Sequence, residues 1–173
     1  MDGSGVELQF IPGLAIPRPP AFQTADPCGI AVAGKYIYWT NWAQWRKPVP
    51  IGRANLDGTG VNKRFITGVI SGCGIAVVRG HIYWTNVGFV KSRYAIGRAN
   101  LDGTGVNQRF IRTAGIPCGI AVYQGHIYWG EWKGDDDAHP STTIRRANLD
   151  GSAANHQFIT GIHDFCLGSL AIG

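Results

Sequence analysis

The chain has 173 residues, of which 45% are hydrophobic and only 16% are charged, so it can form a core and is not a disordered polypeptide. Twenty-five glycines and nine prolines, with almost no stretch of helix-forming residues at helical spacing, favour short strands joined by tight turns and therefore an all-β fold. The net charge is +5, but the basic residues recur with the repeat and no nucleic-acid-binding motif accompanies them, so nucleic acid is not expected as a partner. No apolar run approaches the roughly 18 residues that cross a bilayer, so a membrane is not expected as a partner either.

The first segment, residues 1–27, is predicted to hold the remnant of one strand followed by a proline-rich connector. Its opening, MDGSGVELQF, has no charged region followed by an apolar stretch, so no signal peptide is predicted. As written, the chain is expected in the cytoplasm, or it is a fragment of an exported protein.

Three nearly identical units follow, and they begin at Cys28, Cys73 and Cys118, 45 residues apart. Each unit reads as four strands: a GIAV strand, an IYW strand, a strand that ends in RANL, and a strand that follows an Asp-Gly pair. Asp-Gly between two strand patterns is a strong hairpin signal, because glycine accepts the positive φ that such turns need. The pattern predicts β-propeller blades of four antiparallel strands within a single domain. The predicted blades span residues 28–72, 73–117 and 118–165, and residues 166–173 resemble a further first strand.

The strings IYWTN and RANLDGTG resemble the YWTD repeats of the low-density lipoprotein receptor, class B, which also occur in bacterial arrays. The resemblance covers almost the whole chain and implies the blades of a six-bladed propeller. The last position of the YWTD string departs from that family, since it is Asn41, Asn86 and Glu131 in the three units. The family's aspartate helps to tie neighbouring blades, so we expect the tie to be made differently here.

Three complete blades cannot close a six-bladed ring, which would need about 270 residues. An open ring leaves apolar blade faces and strand edges uncovered. We therefore expect two copies of the chain to form a homodimer that completes a six-blade-like ring. The alternatives are a longer parent protein and an unusually small closed ring.

The loops between the second and third strands share no sequence among the units, whereas the strands and Asp-Gly turns barely change. In propellers these loops lie on one face around the channel mouth, where ligands commonly bind. Their aromatic side chains offer rigid apolar surface, and their basic side chains offer charge-assisted hydrogen bonds. The sequence thus predicts a binding or assembly module for a small molecule, glycan or peptide, without a cofactor. The predicted ligand-binding residues are Trp42, Trp45, Arg46, Asn86, Phe89, Arg93, Tyr94, Glu131 and Trp132.

An enzyme is the alternative function, since propellers of similar outline include lyases and cyclases that work at the channel mouth. Its acid and base residues would come from the third unit and the segment after it. The candidates are Glu131, Asp135, His139, His163 and Asp164.

The cysteines that begin the three units are expected to lie near the propeller axis. A ring of thiols there could bind a soft metal or supply a nucleophile. No C-x-x-C pair supports a metal site, and duplication of one small buried residue gives the same pattern, so no metal is predicted and Cys28, Cys73 and Cys118 stay a weaker alternative. Because these positions lie on different blades, disulfides between them are not expected. Three tryptophans also recur at one strand position and are predicted to pack between blades: Trp39, Trp84 and Trp129.

Overall fold

The computed structural model describes residues 25–43, 48–70, 72–88, 94–133 and 141–162. All regular elements in these ranges are strands, and no helix that could span a membrane is found there. The twelve strands are β1 (Ala25–Ala33), β2 (Tyr36–Ala43), β3 (Val49–Asn55), β4 (Asn62–Val69), β5 (Ile75–Val78), β6 (His81–Asn86), β7 (Ala95–Asn100), β8 (Asn107–Arg112), β9 (Ile116–Tyr123), β10 (His126–Lys133), β11 (Ser141–Asn148) and β12 (Asn155–Ile162).

The strands form three four-stranded antiparallel sheets, in which neighbours in sequence are neighbours in space. We call them the first blade (β1 to β4), the second blade (β5 to β8) and the third blade (β9 to β12). The predicted all-β fold of four-stranded, propeller-like blades is thereby confirmed. The turn between the third and fourth strands depends on its glycine, because Gly58, Gly103 and Gly151 adopt φ values of 80°, 88° and 84°, which other residues enter only with strain.

Neighbouring blades pack face to face through apolar side chains, and we call each such contact a seam. In the first seam, Tyr38, Ile51 and Ile66 of the first blade pack against Ile82 and Trp84 of the second. Burial of these side chains is the main force that holds the blades together. The second seam, between the second and third blades, is built by Tyr83, Ile96, Ile111, Ile127 and Trp129. Trp84 and Trp129 are 0% exposed, as expected for tryptophans that pack between blades.

The outer faces of the first and third blades are open, although they carry the same kinds of side chain as the seams. Ile30 of the first blade is 65% exposed, whereas Ile75 at the same position of the second blade is 7% exposed. Ile159 of the third blade is 46% exposed, whereas its counterpart Ile111 is 5% exposed. Both ends of the described array therefore present a face on which a further blade could pack.

Cys28 and Cys73 form a disulfide across the first seam, with their Cα atoms 4.9 Å apart. The expectation that different blades hold these cysteines too far apart was wrong. The first strands β1 and β5 run beside each other, and Gly29 lies so close to the carbonyl of Cys73 that a Cβ would collide with it. Cys118 is also disulfide-bonded. The alternative of a thiol ring that binds metal or acts as a nucleophile is thus contradicted at all three positions.

Candidate functional site

A cavity of about 620 Å³ opens between the second and third blades, and we call it the seam cavity. It lies at the edge that carries the variable loops, since two of its lining residues, Arg112 and Lys133, are the last residues of β8 and β10. Its polar and charged lining side chains are Arg112, Thr113, Lys133, Arg145, His156 and Gln157, together with Thr143 and Thr160.

Four positions of the seam cavity break the repeat. When the units are aligned, each of these positions is uncharged at the first seam and basic or titratable at the second. The first seam has Thr67, Gly88, Gly97 and Gln108, and the second has Arg112, Lys133, Arg145 and His156 in the same order. The cavity is therefore not a copy of a feature that the repeat produces everywhere.

At the first seam, Gln108 stands at the position of His156, and its side chain joins the two blades. Its Nε2 donates to the carbonyl of Thr67 at 2.8 Å, and its Oε1 accepts from Trp84 Nε1 at 3.3 Å. Asn86 Nδ2 donates to the Gln108 carbonyl at 2.7 Å, while Asn86 Oδ1 accepts from the N–H of Ile70 at 3.0 Å. This network is neutral, and its buried amide groups are paired, as burial requires.

At the second seam, Glu131 replaces the asparagine and is fully buried. Its Oε1 accepts from the N–H of Gly115 at 2.5 Å, and its Oε2 accepts from Trp129 Nε1 at 3.3 Å. The same Oε2 lies 2.7 Å from Arg145 Nε. A buried carboxylate needs such a partner, because an unpaired charge in the interior is costly.

Arg145 stands where the other blades have glycine. In the first two blades this glycine lies opposite the recurring tryptophan, and a Cβ at Gly97 would collide with the indole ring of Trp84. In the third blade Arg145 lies opposite Trp129 and is only 4% exposed. Burial lowers the pKa of its guanidinium, an effect that the nearby Glu131 charge opposes. Its Nε lies within ion-pair distance of the carboxylate, although the N–H is not aligned with the oxygen as a hydrogen bond.

Asn86 and Glu131, which follow the IYW string of β6 and β10 at equivalent positions, bind the backbone of the segment that leads into their blade. An amide oxygen at Asn86 and a carboxylate oxygen at Glu131 each accept the backbone N–H of the segment that enters the blade. Both side chains thus accept a hydrogen bond at this position, but Asn86 is neutral and Glu131 is a carboxylate.

The predicted ligand-binding residues fall into buried and surface groups. Asn86 and Glu131 are buried in the two seams, so their described contacts hold blades together, and the carboxylate of Glu131, the acid or base candidate, is paired with Arg145. Trp42 is 40% exposed near the end of β2, and Trp132 lies beside Lys133 near the end of β10. Tyr94, just before β7, is partly buried. The predicted residues Trp45, Arg46, Phe89, Arg93, Asp135, His139, His163 and Asp164 lie outside the described residues.

The structure adds residues that were not predicted for a site: Arg112, Lys133, Arg145 and His156. A signal for Arg145 was present in the sequence, because IGRAN in the first two units becomes IRRAN in the third. The described lining of the cavity contains no Asp or Glu, and no three His, Cys, Asp or Glu side chains gather as metal ligands in the described part of the chain. The chemistry of the lining therefore suits an anion better than a cation.

Comparisons with known proteins support the fold. No family model matches the chain, and no curated protein matches it. A chain in the crystal structure of a nidogen/laminin complex is similar over 76% of this chain, with 27% sequence identity and a TM-score of 0.60. The match covers 47% of that chain, so the present chain spans less than half of its length. The computationally designed protein Ika4 is similar over 88% of this chain and 83% of its own, with a TM-score of 0.55, but its 7% identity shows the fold alone.

Proposed function

We propose that the chain is a binding and assembly module built from YWTD-type propeller blades. The observation that carries this proposal is the contrast within each unit, where near-identical strands and turns support loops that share no sequence. A constant frame with one divergent edge is the arrangement of recognition loops on a rigid scaffold. The similarity to a structure described as a nidogen/laminin complex favours a protein segment as the ligand.

The aromatic side chains of the loop edge are the proposed contact surface. Trp42 is 40% exposed, and Trp132 lies on the third blade near the same edge as the seam cavity. Large aromatic side chains at such an edge bury much apolar area with little loss of conformational freedom, which is why they dominate binding energy at interfaces.

The second part of the proposal is that two copies of the chain complete the ring. Ile30 on the first blade corresponds to side chains that are buried in the seams, and Ile159 on the third blade does as well. A two-fold arrangement would place the third blade of each copy on the first blade of the other, which forms two further seams of the same type. Both open faces would then be covered.

Ring completion is tested by the mass of the protein in solution, measured by gel filtration with light scattering. We expect the wild-type chain to have the mass of a dimer and Ile159→Asp to have the mass of one chain, since a charge would be buried in the new seam. Val106→Asp is the matched control, because Val106 is 43% exposed in the turn before β8 and should leave the dimer intact. A monomeric wild type, or a dimeric Ile159→Asp, would contradict this part of the proposal.

Ligand binding is tested with arrays of short peptides and of glycans, probed with the labelled wild-type chain. We expect binding to a subset of probes and a loss of at least about tenfold in Trp42→Ala, as for an aromatic residue at the centre of an interface. Tyr123→Ala is the control, since Tyr123 is 46% exposed at the end of β9, away from the loop edge. Equal losses in both variants would argue against the loop edge as the contact surface.

A further inference from the structure

We propose that the seam cavity, whose lining includes Arg112, Thr113, Lys133, Arg145, His156 and Gln157, binds the oxyanion group of a small organic anion, a phosphate or a carboxylate. This inference goes beyond the proposed function, because the cavity lies between two blades of one chain and needs neither the second copy nor the loop-edge ligand.

The charge of the cavity is the first argument. Arg112, Lys133 and Arg145 contribute three positive charges, and the carboxylate of Glu131 beneath them offsets one. The described residues thus leave an excess of two positive charges at one place. Such an excess attracts anions.

The supply of hydrogen-bond donors is the second argument. Arg112 and Lys133 are exposed cations in the lining of the cavity, and Arg145, whose Nε lies 2.7 Å from Glu131 Oε2, lines the same cavity. Gln157 and the ring of His156 add further polar groups to the same wall. A phosphate or carboxylate accepts several hydrogen bonds at once, so a cavity with convergent cationic donors suits it.

The size of the cavity indicates more than a bare ion. Its volume of about 620 Å³ lies within the range of about 300–1,000 Å³ that is usual for small-molecule sites. Thr113 and the apolar part of the wall leave room for an organic body beside the charged group. The ligand class is therefore a small molecule that carries a phosphate or carboxylate.

The first seam provides an internal control for this argument. There Gln108 fills the corresponding position and joins Thr67 to Trp84 through hydrogen bonds. The basic residues appear together at the second seam only, so duplication of the repeat does not account for them.

The experiment is a calorimetric titration at constant ionic strength, with inorganic phosphate, phenyl phosphate and citrate as the probes. We expect saturable binding of at least one of them at one site per chain. The three probes separate the free ion, a phosphate with an organic body and a carboxylate ligand. Binding of none of them would overturn the inference.

The decisive variant is Arg112→Thr with Lys133→Thr, which removes two exposed cations and restores the threonine of the first seam at one of them. We expect the Kd of the bound probe to rise at least tenfold, since the variant removes two cations that can donate charge-assisted hydrogen bonds to the anion. If the double variant does not fold, as judged by circular dichroism, Lys133→Thr alone is used with the same criterion.

Arg109→Thr is the matched control, because it removes the same charge from the same strand β8 at an exposed residue outside the cavity lining. Its Kd should change less than about twofold, since distant surface charges are screened. An equal loss in Arg109→Thr and in the double variant would show attraction to general surface charge and would overturn the inference, as would unchanged binding in the double variant.

Discussion

The first and second seams are packed from equivalent apolar side chains, but they differ in the polar groups that lie between the blades. At the first seam, Gln108 and Asn86 form a neutral network, and the Cys28–Cys73 disulfide links the blades covalently. At the second seam, a buried ion pair between Glu131 and Arg145 takes the place of the network. The repeat therefore determines the packing of the blades, while the polar groups within a seam can change.

The two charged residues at the second seam, Glu131 and Arg145, depend on each other. An arginine at the glycine position would bury a cation without a partner if the asparagine were kept. A glutamate at the asparagine position would likewise bury an anion if the glycine were kept. Because Glu131 and Arg145 occur together, the attraction between them offsets part of the cost of burying each charge. The cavity beside them is lined by His156, which stands at the position where Gln108 joins the blades at the first seam.

The largest expected effect comes from Glu131→Ala, which leaves Arg145 buried without its anion. We expect the free energy of unfolding, measured with urea, to fall by about 3–5 kcal/mol, as when one partner of a buried pair is removed. Asn86→Ala at the first seam should cost less, about 1–3 kcal/mol, because it breaks only neutral hydrogen bonds. A larger loss in Asn86→Ala than in Glu131→Ala would contradict the comparison.

The compensation can be tested by restoring the first-seam residues at the second seam. Glu131→Asn combined with Arg145→Gly should be more stable than Glu131→Asn alone, because no unpaired cation remains. The coupling energy in the double-mutant cycle should lie in the range of about 0.5–3 kcal/mol. Additive effects would show that the two residues do not form a unit.

The next prediction concerns the disulfide that crosses the first seam. Replacement of both Cys28 and Cys73 by alanine should lower the free energy of unfolding by about 2–4 kcal/mol, since the disulfide no longer restricts the unfolded chain. Variants are preferable to a reducing agent, because Cys118 is also disulfide-bonded. An unchanged urea midpoint with an unchanged slope would show that the disulfide does not stabilise this seam.

A smaller effect is expected at the glycine of the first seam. In Gly97→Ala the new Cβ would collide with the indole ring of Trp84, so we expect a loss of about 1–3 kcal/mol in the free energy of unfolding. Gly52→Ala should behave in the same way, because Gly52 meets Trp39 equally closely. Neutral outcomes for both variants would mean that the indole rings can move, as Trp129 must do beside Arg145.

Much of the fold could be predicted from the sequence because local signals determine it. The Asp-Gly pairs produce turns with a left-handed glycine, such as Gly103, and the alternation in IYW strands places Trp84 in a seam. The contact of Asn86 was harder to predict, because its Oδ1 accepts from the N–H of Ile70, which lies 16 residues earlier in the segment between the blades.

The disulfide and the seam cavity could not be predicted because they depend on distances between blades. Cys28 and Cys73 are 45 residues apart in sequence, and only the close approach of β1 to β5 brings their Cα atoms to 4.9 Å. Arg112 belongs to the second blade and Arg145 to the third, so no local pattern joins them. The departure from the repeat at Arg145 was visible, but its burial and its pairing with Glu131 were not.

The smallest expected effect is at the Asp-Gly turns, which are the same in all blades. The hydrogen bond from the Thr104 side chain lowers the pKa of Asp102 below its ordinary value of 3.8. A lowered folded-state pKa contributes stability that is complete above the ordinary value and is lost as the pH falls through the folded-state value. The free energy of unfolding should therefore fall more steeply below pH 3.8 in the wild type than in Asp102→Asn, which keeps the acceptor and does not titrate. Because Asp57 and Asp150 have the same hydrogen bonds, their Asn variants should give the same change, and unequal changes would mean that the seams influence the turns.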